Sequence, residues 1–136
     1  MITKTDDIKL IDFGNGVRCG PNSIRHHRSC TPHYASPEMH QRDPRYKPFA
    51  LDAWSAGQTF FEMLTGRIMF DFIEENRFYE DRTFDASRYL HLAQTMAFGR
   101  RLSTDAIRVL TLLLAKDEDT RIRNLRNIQN DSFFLD

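Results

Sequence analysis

Four groups of residues in this 136-residue chain are of types and spacings that can do chemistry. Asp12 follows the apolar run Ile8-Lys9-Leu10-Ile11 and precedes Phe13-Gly14. A carboxylate just past a strand is held rigidly at the edge of a cleft, and Gly14 lets the backbone turn behind it. The plainer reading of Asp12 is a strand-ending turn carboxylate. Asp52 opens a long apolar stretch, where a charge is expensive to bury unless it accepts several hydrogen bonds. A helix N-terminal acid favoured by the helix dipole explains the same placement. His26, His27, Cys30 and His33 have spacings a zinc site could use, against the ordinary reading of solvated loop residues. Arg18, Arg25 and Arg28 stand close in sequence to the hydroxyls of Ser23, Ser29 and Thr31, a composition able to hold a phosphate.

The elements that must position these groups follow from the hydrophobic pattern. Met1-Ile2-Thr3 and Ile8-Lys9-Leu10-Ile11 are short β-prone runs around Lys4-Thr5-Asp6-Asp7, which predicts a small antiparallel hairpin over 1–11. From Gly14 to Thr31 no apolar period survives among Gly16, Gly20, Pro21, Asn22 and Ser23, so a long surface loop is expected. Leu51 to Leu64 is apolar around much of its circumference, with Trp54, Phe60, Phe61, Met63 and Leu64 interleaved by Ala53, Ala56 and Gly57. That pattern predicts a helix over 51–65 buried by several neighbours, and Gly66 is placed to stop it. Arg67 to Thr83 reads as a loop anchored by Phe70, Phe72, Phe78 and Tyr79. A helix is expected from Ala86 to Ala97. Another follows Ser103 as N-cap, with Ile107, Leu110, Leu113 and Leu114 at helical spacing. Lys116-Asp117-Glu118-Asp119 is expected to break it, and a last short helix to run from Leu125 to Gln129.

Composition bounds the function classes. Lys plus Arg and Asp plus Glu each number 19, so the basic excess of a nucleic-acid binder is absent. No apolar run approaches the length that crosses a bilayer, and the polar start (Thr3, Lys4, Thr5, Asp6, Asp7) is unlike a signal peptide. Cys19 and Cys30 are the only cysteines; free thiols in a reducing compartment are expected, with a disulfide as the minor option. An intracellular, cytoplasmic protein of one domain is the expectation.

Taken in order, Asp12-Phe13-Gly14, Thr31-Pro32-His33-Tyr34-Ala35-Ser36-Pro37-Glu38, Asp52-Ala53-Trp54-Ser55-Ala56-Gly57 and Arg121 resemble the C-terminal half of a eukaryotic-type protein kinase domain. The Thr31 to Tyr34 spacing is that of the serine/threonine class. The resemblance implies a mainly α fold: a large-lobe fragment with the hairpin over 1–11 and an activation segment over 12–38. It places a buried central helix over 51–65, C-terminal helices over 84–134, and about four to five helices around the central one. It makes Asp12 a metal ligand and packs Phe13 under the small lobe. Thr31, Tyr34, Pro37 and Glu38 become the platform for the acceptor peptide, Cys30 standing where the family usually has Gly and Ser36 where it has Ala. Asp52, Trp54, Gly57 and Arg121 become structural: Asp52 caps the catalytic loop, and Arg121 forms a buried ion pair with Glu38. Ser29 is the favoured phosphosite, since Thr31 is expected to be structural.

The resemblance implies ATP and Mg²⁺ as cofactors of the complete kinase and a protein with a Ser or Thr acceptor as partner, alongside the missing N-terminal lobe. Neither nucleic acid nor membrane is implied. These residues contain no glycine-rich phosphate loop, no nucleotide-binding Lys with its helix Glu, and no His-Arg-Asp motif with its downstream Asn. No catalytic residue is therefore assigned, the chain is expected to begin just after the catalytic loop, and alone it is expected to be inactive. Asp12 by itself is not expected to hold Mg²⁺ tightly, because that ion takes several oxygen ligands. The leading reading is part of a protein serine/threonine kinase that transfers the γ-phosphoryl of ATP. The alternative is a non-catalytic, pseudokinase-like interaction module. An upstream in-frame segment carrying His-Arg-Asp favours the first, and a true start at Met1 the second. A helical scaffold unrelated to kinases would make four ordered motifs a coincidence.

Overall fold

The structure, a computed structural model, describes residues 3–5, 7–26, 31–40, 44–69 and 102–134. Three α-helices form its body: α1 (Pro48–Thr65), α2 (Thr104–Leu113) and α3 (Glu118–Ile128). Short 3-10 turns lie at Phe13–Asn15, Pro32–Tyr34, Pro37–His40 and Ser132–Phe134 among the described residues. Among the described residues there is no regular strand. Where the hairpin was expected, the Thr3 amide donates to the Asp7 carbonyl at 2.9 Å, and no paired strands are seen among the described residues. The hairpin's first arm and the expected helix from Ala86 to Ala97 lie outside the described residues, as do Phe70, Phe72, Phe78 and Tyr79.

α1 starts three residues before the expected Leu51. Pro48 occupies the first helical position, where its fixed φ suits the helix and its missing N–H would have had no partner anyway. Gly66 ends the helix in left-handed backbone (φ 71°), its amide donating to the Glu62 carbonyl at 2.7 Å. α2 starts on Ser103, whose hydroxyl accepts from the Ala106 amide at 3.1 Å.

The last helix departs from expectation. Residues 116–119 do separate two helices, but Asp117 also starts the next one. Its carboxylate accepts from the Thr120 amide at 2.8 Å and the Thr120 hydroxyl at 2.7 Å. Both bonds hold Asp117 below the usual carboxylate range. Glu118 and Asp119 then occupy the first turn, where the helix dipole favours them, so α3 begins seven residues before Leu125.

The buried face of α1 is Pro48, Ala50, Ala53, Trp54, Gly57, Gln58 and Phe61, a stripe at three- and four-residue spacing. Trp54 and Phe61 pack with Met69, Leu110 and Leu114, while Ala53 meets Val109 and Leu113. A separate cluster of Ala35, Met39 and Tyr46, with Leu51, joins the loop to α1. α1 is thus buried on one side, whereas Met63 and Ala56 face solvent.

Gly57 sets the approach of α1 to α2. A β-carbon there would lie 2.9 Å from Leu113 Cβ and 2.8 Å from Leu114 Cδ2. The first contact is with an atom that cannot rotate away. Gly57→Ala is expected to destabilise the fold by about 1–3 kcal/mol through overpacking. Urea denaturation checks this; a loss below about 0.5 kcal/mol would mean that the helices separate freely.

Candidate functional site

Asp12 adopts φ 61° and ψ 68°, left-handed backbone that few residues other than glycine tolerate. Asp is among the more tolerant, because its short side chain bonds locally, and here Oδ1 accepts from the Gly14 amide at 3.4 Å. The carboxylate and the Phe13 ring are both exposed. Strained backbone of this kind concentrates at functional positions.

The chain then runs along the surface, and among residues 14–26 only Cys19, Ser23 and Arg25 are half-buried. Arg25 and Tyr46 form an antiparallel bridge, with amide-to-carbonyl distances of 2.9 and 3.0 Å. The Arg25 guanidinium turns back to the Arg18 carbonyl at 2.9 Å. Ser29, with His27, Arg28 and Cys30, lies outside the described residues. Among the described residues no three His, Cys, Asp or Glu side chains converge as metal ligands.

Residues 31–38 are fixed to the helices at both ends. Thr31 is exposed, and its carbonyl accepts from the Tyr34 amide at 3.0 Å. The Tyr34 hydroxyl donates to Glu62 Oε2 at 2.6 Å, and the Ser55 hydroxyl donates to the Tyr34 carbonyl at 3.0 Å. Seven residues apart, Ser55 and Glu62 share one face of α1. The bond to the Glu62 carboxylate raises the Tyr34 phenol above its ordinary value. Pro37 opens the next 3-10 turn, and Glu38 within it is buried.

There Glu38 meets Arg121. Arg121 Nη2 donates to Glu38 Oε1, Nε to the Ala50 carbonyl at 3.1 Å, and Nη1 to the carbonyls of Ala115 and Lys116 at 2.8 and 2.9 Å. Its guanidinium carbon sits 5.4 Å from the centre of the fully buried Trp54 ring. Burial pulls the guanidinium below its ordinary pKa, and the Glu38 and Glu118 charges act the other way. One side chain thus ties the loop, α1 and the α2–α3 connection together. Geometry of this quality is what a buried charge requires.

Asp52 stands apart from these contacts. It is exposed on α1, and among the described residues nothing donates a hydrogen bond to it. Partial desolvation raises its carboxyl above the ordinary value.

Two contacts were not anticipated. The Tyr34–Glu62 bond had a signal, since Ser55 and Glu62 are polar residues two turns apart on an apolar helix. The contact between the Lys47 amide and Glu118 Oε1 at 2.6 Å had none, as the partners lie 71 residues apart.

Residues 1–134 match the protein kinase domain family. The chain is 32% identical over 117 residues, 86% of its length, to the probable serine/threonine-protein kinase KCC4 of Saccharomyces cerevisiae. It is 31% identical over 130 residues, 94% of its length, to a probable serine/threonine-protein kinase of Dictyostelium discoideum. Protein kinase C zeta type of Oryctolagus cuniculus is 33% identical over 135 residues, 93% of the chain. The chain spans 11%, 14% and 22% of these relatives' lengths, respectively. No solved structure matches it. Over nearly its whole length, then, this chain belongs to the protein kinase domain family, in its serine/threonine class.

Proposed function

We propose that the chain is the C-terminal, large-lobe part of a protein serine/threonine kinase domain, with residues 12–38 as its activation segment. The observation that carries this reading is the anchoring of residues 31–38 at both ends, by Tyr34 on Glu62 and Ser55 and by Glu38 on Arg121. A platform for an acceptor peptide must hold its shape while a hydroxyl is presented for attack. Thr31, Pro32 and His33 are exposed and Tyr34 and Pro37 half-exposed in that stretch. Ser29 is the modification site of this reading.

The family uses ATP and Mg²⁺. Asp12 fits the metal, for its exposed carboxylate receives one long hydrogen bond and retains lone pairs for a cation. The remaining ligands would be phosphate oxygens and water, which suits an ion that keeps much of its hydration. Bound there, the cation neutralises charge building on the transferred phosphoryl group. What these residues do themselves is hold one ligand oxygen in a fixed direction and present the acceptor chain. The γ-phosphorus then forms its bond to the acceptor hydroxyl as its bond to ADP breaks, and the hydroxyl proton leaves to a base supplied outside this chain.

The test is phosphate transfer from labelled ATP to Ser or Thr of a generic protein acceptor by the full-length protein. Transfer is expected from it, none from residues 1–136 alone, and none from full-length Asp12→Ala. A full-length protein that binds acceptor proteins yet transfers nothing would establish the non-catalytic interaction module instead. Transfer by the isolated chain, lost in Asp12→Ala, would overturn the division of parts described here.

A further inference from the structure

α1 begins without a cap of its own. Lys47 is its N-cap residue and provides no capping side chain. The first amides of a helix lack intrahelical partners and must find them elsewhere. The partner here comes from the other end of the chain, for Glu118 Oε1 accepts from the Lys47 amide at 2.6 Å. Lys47 Nζ in turn pairs with Asp119. Asp117 supplies the side-chain cap of α3, which leaves the Glu118 carboxylate free to accept from the Lys47 amide.

The residue so gripped adjoins the loop. Tyr46, next to Lys47, is buried against Ala35 and Met39 and bridges Arg25 through two backbone hydrogen bonds. Among the described residues that bridge is what ties residues 14–26 to the helical body. We infer that Glu118 is a positioning residue: by holding the Lys47 amide it fixes the edge at Tyr46 on which the loop around Arg25 docks, and through it the setting of the acceptor platform. The statement about the platform rests on the kinase reading; the statement about the edge does not.

The arrangement has physical support beyond the bond itself. A carboxylate accepting a backbone amide makes a charge-assisted bond, stronger than a neutral one. Burial raises the Glu118 carboxyl, opposed by the Lys47 amide and by the charges of Arg121 and Lys47, with Glu38 adding to the rise. Glu118 therefore gives up solvation to sit where it does. An isolated two-bond bridge such as Arg25–Tyr46 opens readily unless one side is held.

The experiment compares Glu118→Ala and Glu118→Gln in the full-length protein. Gln keeps an oxygen that can accept from the Lys47 amide. Hydrogen exchange is read at the amides of Arg25, Tyr46 and Lys47, with those of Val109 and Leu110 in α2 as the internal reference. Glu118→Ala is expected to speed exchange at the first three at least tenfold and leave α2 unchanged, whereas Glu118→Gln restores most of the protection. Unchanged exchange at Arg25 and Tyr46, equal acceleration in α2, or a Gln variant no better than Ala would overturn the positioning role. A second arm reads phosphate transfer. Glu118→Ala is expected to raise KM for the acceptor protein severalfold with kcat within twofold, and a KM equal to wild type would overturn the link to the platform. A wild-type protein that transfers no phosphate refutes the kinase reading and this link together, while the exchange arm still decides the edge.

Discussion

Replacing Arg121 with methionine is expected to remove about 3–5 kcal/mol of stability, the range for breaking a buried ion pair by deleting one partner. Glu38 would be left buried without its cation, and the carbonyls of Ala50, Ala115 and Lys116 would each lose a donor. The Ala115 and Lys116 carbonyls are half-buried and the Ala50 carbonyl lies within α1, so their share is smaller than the full penalty of an unsatisfied buried acceptor. Against a domain stability of about 5–15 kcal/mol, the loss is roughly a fifth of the whole or more. Trp54, the single tryptophan, lies beneath the guanidinium, so its fluorescence in urea reads the site directly. Pairing Arg121→Met with Glu38→Leu should recover part of the loss, since no charge then remains buried alone. It should not recover all of it, because the three carbonyls stay without their donor. A single variant within about 1 kcal/mol of wild type would show that water reaches this pair.

The second large effect concerns association. Leu10 is 82% exposed, Ile8 75%, Phe13 72% and Met63 69%, with Ile11 and Val17 also open to solvent. Five of these six apolar side chains fall within residues 8–17. Contiguous apolar patches larger than a few hundred Å² are rare on soluble monomers and promote association. At roughly 25 cal/mol per Å², covering such an area is worth several kcal/mol, comparable to a small domain's whole stability. Residues 1–136 produced alone should therefore elute as oligomers or aggregates, bind an apolar fluorescent dye, and melt broadly. Leu10→Lys combined with Phe13→Ser should raise the monomer fraction. A clean monomer with a sharp cooperative melt and no dye binding would show that these side chains do not act as a surface for contacts.

Much of the fold was legible because its signals are local. Ser103 at an N-cap, the apolar spacing of Ile107, Leu110, Leu113 and Leu114, and Gly66 past the last turn of α1 are read within a few residues. One error arose where one residue serves two purposes. Asp117 reads as a helix breaker and is a helix starter. α1 reads as starting at Leu51, three residues after Pro48. α1 was expected to be apolar on more sides than the chain's other helices cover, and among the described residues Met63 and Ala56 face solvent; an apolar circumference shows that burial is wanted but not what provides it. For the candidate site, residue types named Asp12, Tyr34, Glu38 and Arg121. Distances named Glu62 and Glu118, because a hydrogen bond across the fold leaves no periodic trace in the chain.

The wide sequence separation of the tying contacts bears on how the fold is reached. Glu38 and Arg121 are 83 residues apart, and Lys47 and Glu118 are 71 apart. Contacts this distant reward the chain only after long loops have closed, which slows folding relative to a bundle of local contacts. During synthesis at about 5–20 residues per second, the 83 residues after Glu38 take roughly 4–17 s to appear. Within that interval Trp54 and Phe61 are made about 50–60 residues before Leu110 and Leu114, which help bury them. The nascent chain thus carries Trp54 and Phe61 without these partners for seconds, a period in which exposed apolar surface favours aggregation.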